Sequence, residues 1–298
     1  VLAGAEEALQ SAEKMSALDT LLAGLIDYAG LYPPAGLDMG TAVRNYLEYR
    51  SGAHASALGR FIVDVSRLDE LETAAGDALG SMRRSVILPP AADVAPLLQA
   101  ADRGLAIESV EVKAHDPAAI ERIAAALPSS LEIYFEVPLP LATPASLDAI
   151  AAAGARAKLR MGGVTADAFP GADAVVAMLR ALMERSLPFK ATAGLHHPVR
   201  SRHRLTYAAD SPSGTMHGFL NLLAAASILR EGGSASDART VLAEENPRAF
   251  RISEDHFDWR DFEWTAVQIH SIRRGFFISF GSCSFAEPMA DLEALGWL

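Results

Sequence analysis

The chain has 298 residues, 50% hydrophobic and 21% charged, enough to bury a large core in one barrel-type domain or two smaller ones. Its net charge of −11, with no basic run, argues against nucleic-acid binding. Cys283 is the one cysteine, which excludes an intrachain disulfide and a multi-cysteine metal site and points to a reducing, cytoplasmic setting.

Residues 1–20 read as an N-terminal helical extension. Glu6, Glu7 and Glu13, with no basic region before an apolar block, do not read as a secretory signal, and Met15 is a candidate internal start. From residue 21 onward, strand-like runs alternate with helical patterns. The strands are expected at 21–28, 60–65, 84–88, 107–113, 131–137, 155–160, 189–193 and 275–281. Helices are expected at 67–79, 94–101, 117–127, 145–153 and 173–185; the last carries an apolar stripe of Val175, Val176, Leu179, Leu182 and Met183. Eight such units at this length predict an α/β fold, a single (β/α)8 TIM barrel over 21–298.

A long segment, 198–274, separates the last two strands. It holds a basic loop (198–207), a Ser/Gly loop (211–214), an apolar helix (217–229) stopped by Gly232 and Gly233, a second helix (236–244) and an aromatic stretch (250–264). The apolar run from Phe219 to Leu229 is broken by Asn221 and Ser227 and is too short for a membrane span. The aromatic stretch reads as packing or a contact between subunits, so a homo-oligomer is an expectation, while nucleic acid and membrane are not.

Side chains on a strand alternate between faces. Placing the apolar residues against the helices turns Asp64, Glu111, Lys113, Glu136, Lys158, Arg160 and Lys190 into the barrel. Barrel interiors are ordinarily branched and apolar, so this much charge near the C-terminal strand ends marks a candidate active site; buried ion pairs that merely satisfy one another are the bland alternative. A lysine beside other cations in a dry site has a lowered pKa, which supplies the neutral amine that attacks a carbonyl. Lys158 shares its face with Arg160 and neighbours Lys190.

The runs Ala155–Gly163 (ARAKLRMGG) and Phe189–Pro198 (FKATAGLHHP) resemble the sixth and seventh strands of class I aldolases, deoxyribose-phosphate aldolase in particular. The resemblance implies a lyase in which Lys158 forms the Schiff base and Lys190 activates it. It covers two strands of eight. Where that family has a Gly-Gly phosphate loop, this chain has Ala193-Gly194-Leu195-His196-His197, and no motif supplies the proton-relay carboxylate; Glu136, Glu111 or Asp64 would substitute. The chain as a whole also resembles a bacterial (β/α)8-barrel family that brings no activity with it.

The expected catalytic set is therefore Lys158, Lys190, Glu136 and His196. The expected substrate contacts are Arg160, Lys113, Asp64, Glu111, Tyr28, His197, Arg200, His217, Asn221 and Ser282. The substrate is a small anionic or carbonyl compound, and no cofactor is expected. A competing reading is a metal-dependent lyase or hydrolase, with a divalent metal on Glu136, His196 and His217 (or Asp64 and Asn221); His217 and Asn221 would share a helix face one turn apart. Adjacent His196 and His197 point opposite ways on an extended chain, so they would not hold one ion together. A third reading is a non-catalytic barrel that holds a small anion. Tyr28 is expected to cap the pocket, and Arg200, Arg202, His203 and Arg204 to form a basic lid. Cys283 reads as a small buried residue rather than a nucleophile.

Overall fold

The computed structural model describes residues 15–89, 93–139 and 142–298, so most of the expected N-terminal extension lies outside the described residues. Eight parallel strands close into a barrel in the order β1-β13-β7-β6-β5-β4-β3-β2. They are β1 (Ile26–Tyr28), β2 (Leu58–Asp64), β3 (Arg84–Leu88), β4 (Ser109–Lys113), β5 (Glu132–Val137), β6 (Arg156–Arg160), β7 (Phe189–Thr192) and β13 (Phe277–Ser282). The chain is a (β/α)8 TIM barrel, as the alternation of strand and helix patterns predicts.

The outward strand residues form one core with the helices. Phe61, Val63, Val110, Val112, Phe135, Val137, Leu159, Phe189 and Ala191 are all buried against that layer. Most of their inward neighbours are polar, Ile62 between Phe61 and Val63 being an apolar one that lines the interior. Helix starts follow local chemistry. Asp38 accepts from Thr41 N to cap Met39–Ser51, and Asp116 caps Pro117–Ala126, with proline at the first turn, where a missing N–H costs nothing. Thr143 and Ser146 form a reciprocal cap on Pro144–Ala152.

The first strand is shorter than its apolar pattern suggests. Residues 17–22 form a helix capped by Ser16, and only Ile26–Tyr28 pairs in the barrel. Gly24, at φ +57, makes the left-handed turn between them. The buried Arg273 side chain locks this corner by donating to the carbonyls of Leu21, Ala23, Phe277 and Ile278. This buried helix straddles the expected boundary at residue 20.

Between β7 and β13 lie the hairpin β8 (Ser201–Arg204) and β9 (Ser213–Met216), helices Phe219–Arg230 and Ala235–Leu242, and a three-stranded antiparallel sheet. That sheet consists of β10 (Phe250–Ile252), β11 (His256–Trp259) and β12 (Phe262–Thr265). Phe257, Trp259 and Trp264 are buried, so the aromatic stretch is packing. Helix Phe219–Arg230 is buried all round from Phe219 to Leu229, which explains its lack of a polar face. Gly232 at φ +81, with Gly233 N–H on the Ile228 carbonyl, ends it. Among the described residues, no helix is long and apolar enough to cross a membrane.

Candidate active site

Strand register brings the inward charges together. Lys113 pairs with Glu136, Glu136 with Lys158, and Lys158 with Lys190. Lys190 Nζ donates to Asp27 Oδ2 at 2.5 Å and to Glu111 Oε1 at 2.7 Å. Lys158 Nζ lies 2.8 Å from Glu111 Oε2 and 2.7 Å from Glu136 Oε2. Arg160 Nε donates to Glu136 Oε1 at 3.2 Å. The result is an alternating chain, Asp27–Lys190–Glu111–Lys158–Glu136–Arg160, with carboxylates and cations in equal number. Behind it, Ser279 donates to Asp27 and Ser85 to Glu111, and the Lys190 ammonium lies 5.4 Å from the centre of the Tyr134 ring.

Each lysine in this chain thus stands between carboxylates rather than directly against another cation. Burial alone would lower the Lys190 pKa, but Asp27 and Glu111 outweigh burial and raise it. Burial likewise pushes the Glu111 and Glu136 carboxyls up, and the neighbouring ammoniums outweigh it and hold both well below the usual carboxylate range. Lys190 is a permanent cation clamped by two carboxylates.

Above this layer, at the C-terminal ends of the strands, opens a cavity of about 640 Å³. Lys158, Glu111 and Glu136 reach it from the floor; Lys113, Arg160 and Asp64 stand at its rim. Lys190 is fully buried and does not line it. The expectation that both lysines share one pocket is therefore corrected: Lys190 points inward but lies sealed below. Asp64 Oδ1 also accepts from Ser66 N and Oγ, so it fixes the turn after β2.

Five expected substrate contacts lie elsewhere. Tyr28 faces outward, buried against Tyr46, Tyr49 and Phe61, because Asp27 takes the inward position in its short strand. Ser282 is buried and accepts from Ser284 N, while its neighbours Gly281 and Cys283 line the cavity. Asn221 Oδ1 accepts from Arg200 N, and its Nδ2 donates to the Val241 and Glu244 carbonyls, which holds the insert together. His217 precedes the helix rather than sharing its face, and its Nε2 donates to the Pro170 carbonyl at 2.7 Å. Arg200 and His217 line a separate cleft with Arg202 and Phe169. The conditional metal set of Glu136, His196 and His217 is thus not brought together, and no three His, Cys, Asp or Glu side chains among the described residues are grouped to hold an ion.

The basic loop is a hairpin forming one cavity wall, through Arg204, Leu205, Thr206, Tyr207 and Met216. Of its arginines only Arg204 faces this cavity. Beyond the ends of β7 and β13, next to the lysine strands, stands a polar wall. His196 Nδ1 meets Glu287 Oε2 at 2.8 Å, and Nε2 lies 3.9 Å from Cys283 Sγ. Burial lowers the His196 pKa, yet Cys283 and Glu287 outweigh it and raise it to about 9. His197 also lines the cavity, with Nδ1 on Asp291 Oδ2 at 2.6 Å and its ring stacked on His203 at 3.3 Å between ring centres.

The glycines of both lysine strands serve packing. A Cβ on Gly162 or Gly194 would meet the Phe169 ring at 2.4 or 2.6 Å, so these glycines make room for an aromatic side chain between the two loops. Residues missed in the sequence are Asp27, Glu287 and Tyr207. Strict alternation in Ile26-Asp27-Tyr28 would have found Asp27. Glu287 and Tyr207 are joined to the site by tertiary folding alone.

No family model matches the chain, and no curated protein matches it. Among solved structures, it is similar to a FabK mutant from Thermotoga maritima at 14% identity, with a TM-score of 0.37, over 61% of this chain and 58% of that one. The chain thus spans less than two thirds of that neighbour's length. The fold assignment rests on the closed barrel itself.

Proposed function

We propose that the protein is a small-molecule enzyme, a lyase that handles a small carbonyl compound through a Schiff base on Lys158. One observation carries this reading: of two lysines in register, Lys158 alone reaches the cavity, with Glu136 Oε2 2.7 Å from its ammonium. Glu136 takes the ammonium proton, and the free amine adds to the carbonyl carbon. The carbonyl oxygen leaves as water, taking protons delivered through Glu136. The resulting iminium accepts the electron pair of the carbon–carbon bond that breaks, while the β-hydroxyl of the departing fragment loses its proton and becomes a carbonyl. Protonation of the enamine at carbon and hydrolysis by water then release the second product and Lys158. Glu111, itself held by the sealed Lys190, acts as a positioning residue for the Lys158 ammonium. Lys113, Arg160 and Arg204 give the cavity the positive rim that an anionic substrate end needs. Its volume lies within the range usual for small-molecule sites.

Borohydride treatment after incubation with a panel of small aldehydes and 2-oxo acids tests the reading. A reduced adduct on the Lys158 peptide is expected, absent in Lys158→Met and strongly reduced in Glu136→Gln. Tight binding of panel members with no adduct and no turnover would instead mark a barrel that only holds a small anion.

A further inference from the structure

The wall beyond β7 and β13 has chemistry that the Schiff-base reading does not use. Cys283 lies just past β13 and His196 just past β7, and these two strands pair in parallel, so both residues emerge side by side at the cavity. Between β7 and His196, Ala193 and Gly194 take φ of +60 and +69, a left-handed turn that redirects the chain. Helix Ala286–Ala294 starts immediately after Cys283 and places Glu287 in its first turn. The Glu287 carboxylate anchors Nδ1 of His196 and so directs Nε2 at the sulfur. From its other side the Tyr207 hydroxyl lies 3.8 Å from Sγ. An inert core cysteine sits among apolar groups; this one has an imidazole and a phenol on it and opens into the cavity.

We propose that Cys283 is a second covalent site on this cavity, a thiolate that adds to the carbonyl carbon of a small anionic aldehyde, with His196 as proton donor and Glu287 as positioning residue. The sulfur forms the C–S bond, the carbonyl π pair moves to oxygen, and His196 delivers its Nε2 proton there. The product is a hemithioacetal, and the reverse step restores thiolate, imidazolium and aldehyde. No oxidant and no leaving group are needed. A charged His196 at neutral pH is what such a pair requires. The anionic end of the aldehyde meets Arg204 or Arg160, which line the same space. The site stands on its own geometry and does not rest on Lys158.

Alkylation reads it directly, because Cys283 is the sole cysteine in the chain. At pH 7 the native protein should react with iodoacetate faster than with neutral iodoacetamide, and Arg204→Gln should reduce that preference. His196→Gln should slow labelling about ten-fold or more, since the imidazole that faces the sulfur is gone. Glu287→Gln, which keeps the side chain's shape, should slow it less and guards against a folding defect in the histidine variant. Glyoxylate should protect Cys283 in both the wild type and Lys158→Met, while glycolate, which lacks the aldehyde, should not. Protection that vanishes in Lys158→Met would put the aldehyde on the lysine and overturn this proposal while leaving the Schiff-base reading intact. Labelling no faster than in the urea-unfolded chain, with no preference for the anionic reagent, would mark Cys283 as inert packing.

Discussion

Lys158 and Lys190 stand opposite each other in the β6–β7 register and share the carboxylate of Glu111, yet their surroundings differ. Lys190 makes aligned hydrogen bonds to two carboxylates, has no exposed surface and is held charged. Lys158 makes close ion contacts, but Glu111 Oε2, on its side, receives no aligned hydrogen bond, and Lys158 opens to the cavity. Two identical side chains one strand apart thus divide into a structural cation and a candidate nucleophile. The difference lies in what faces them from β1 and β5: Asp27 closes over Lys190, whereas Glu136 stands beside Lys158 with Arg160 as its own second partner.

The comparison breaks most visibly at Lys190. Lys190→Met leaves Asp27 and Glu111 as buried carboxylates short of a partner, so a loss of about 3–5 kcal/mol is expected in urea unfolding. A loss below about 1 kcal/mol would show that the clamp is not what holds this layer.

Next in size is the wall beyond β7 and β13. The His196 pKa is raised to about 9, so its stabilising contribution is fully present below the unfolded value of about 6.5 and is lost as pH rises through about 9. Glu287, Cys283 and Tyr207 face it, and His197 lies 6.3 Å away between ring centres. Up to roughly 3 kcal/mol should disappear from unfolding free energies over that window, and His196→Gln should flatten the curve. An equally steep curve in the variant would assign the loss to other groups.

Lys158→Met should cost less than its neighbour, about 1–3 kcal/mol, because Glu136 keeps Arg160 and Glu111 keeps Lys190. Calorimetry of the two variants side by side checks the ranking; equal losses would erase the distinction between sealed and open lysine. The smallest structural effect belongs to Arg160→Gln. That side chain is 45% exposed, so its loss should change stability by less than about 1 kcal/mol while weakening binding of an anionic ligand in a salt-dependent way.

The barrel was legible because period-two alternation and helical stripes repeat along the chain, and the inward charges of β4 to β7 followed from the same rule. The first strand was not. The apolar helix before it extended the apparent run, so the alternation that places Asp27 inward was read over the wrong residues and Tyr28 was promoted instead. The carboxylate clamp on Lys190 was equally hidden. Spacing reveals neighbours on one strand, but the carboxylates that decide its charge come from β1 and β4. His217 and Asn221 misled for a related reason: their spacing suits a helix, yet the helix begins after His217 and Asn221 turns into the insert. Cys283 carries no spacing signal, since its partners arrive from beyond the end of β7 and from the loop between β8 and β9.

Site-resolved reductive trapping tests the central claim most directly. The folded protein is pulsed with a small carbonyl compound and borohydride, and adducts on the peptides holding residues 158 and 190 are quantified. The account predicts label on Lys158 and almost none on Lys190 until the chain is unfolded, when both react alike. Label on Lys190 in the folded state, or none on Lys158, would contradict it.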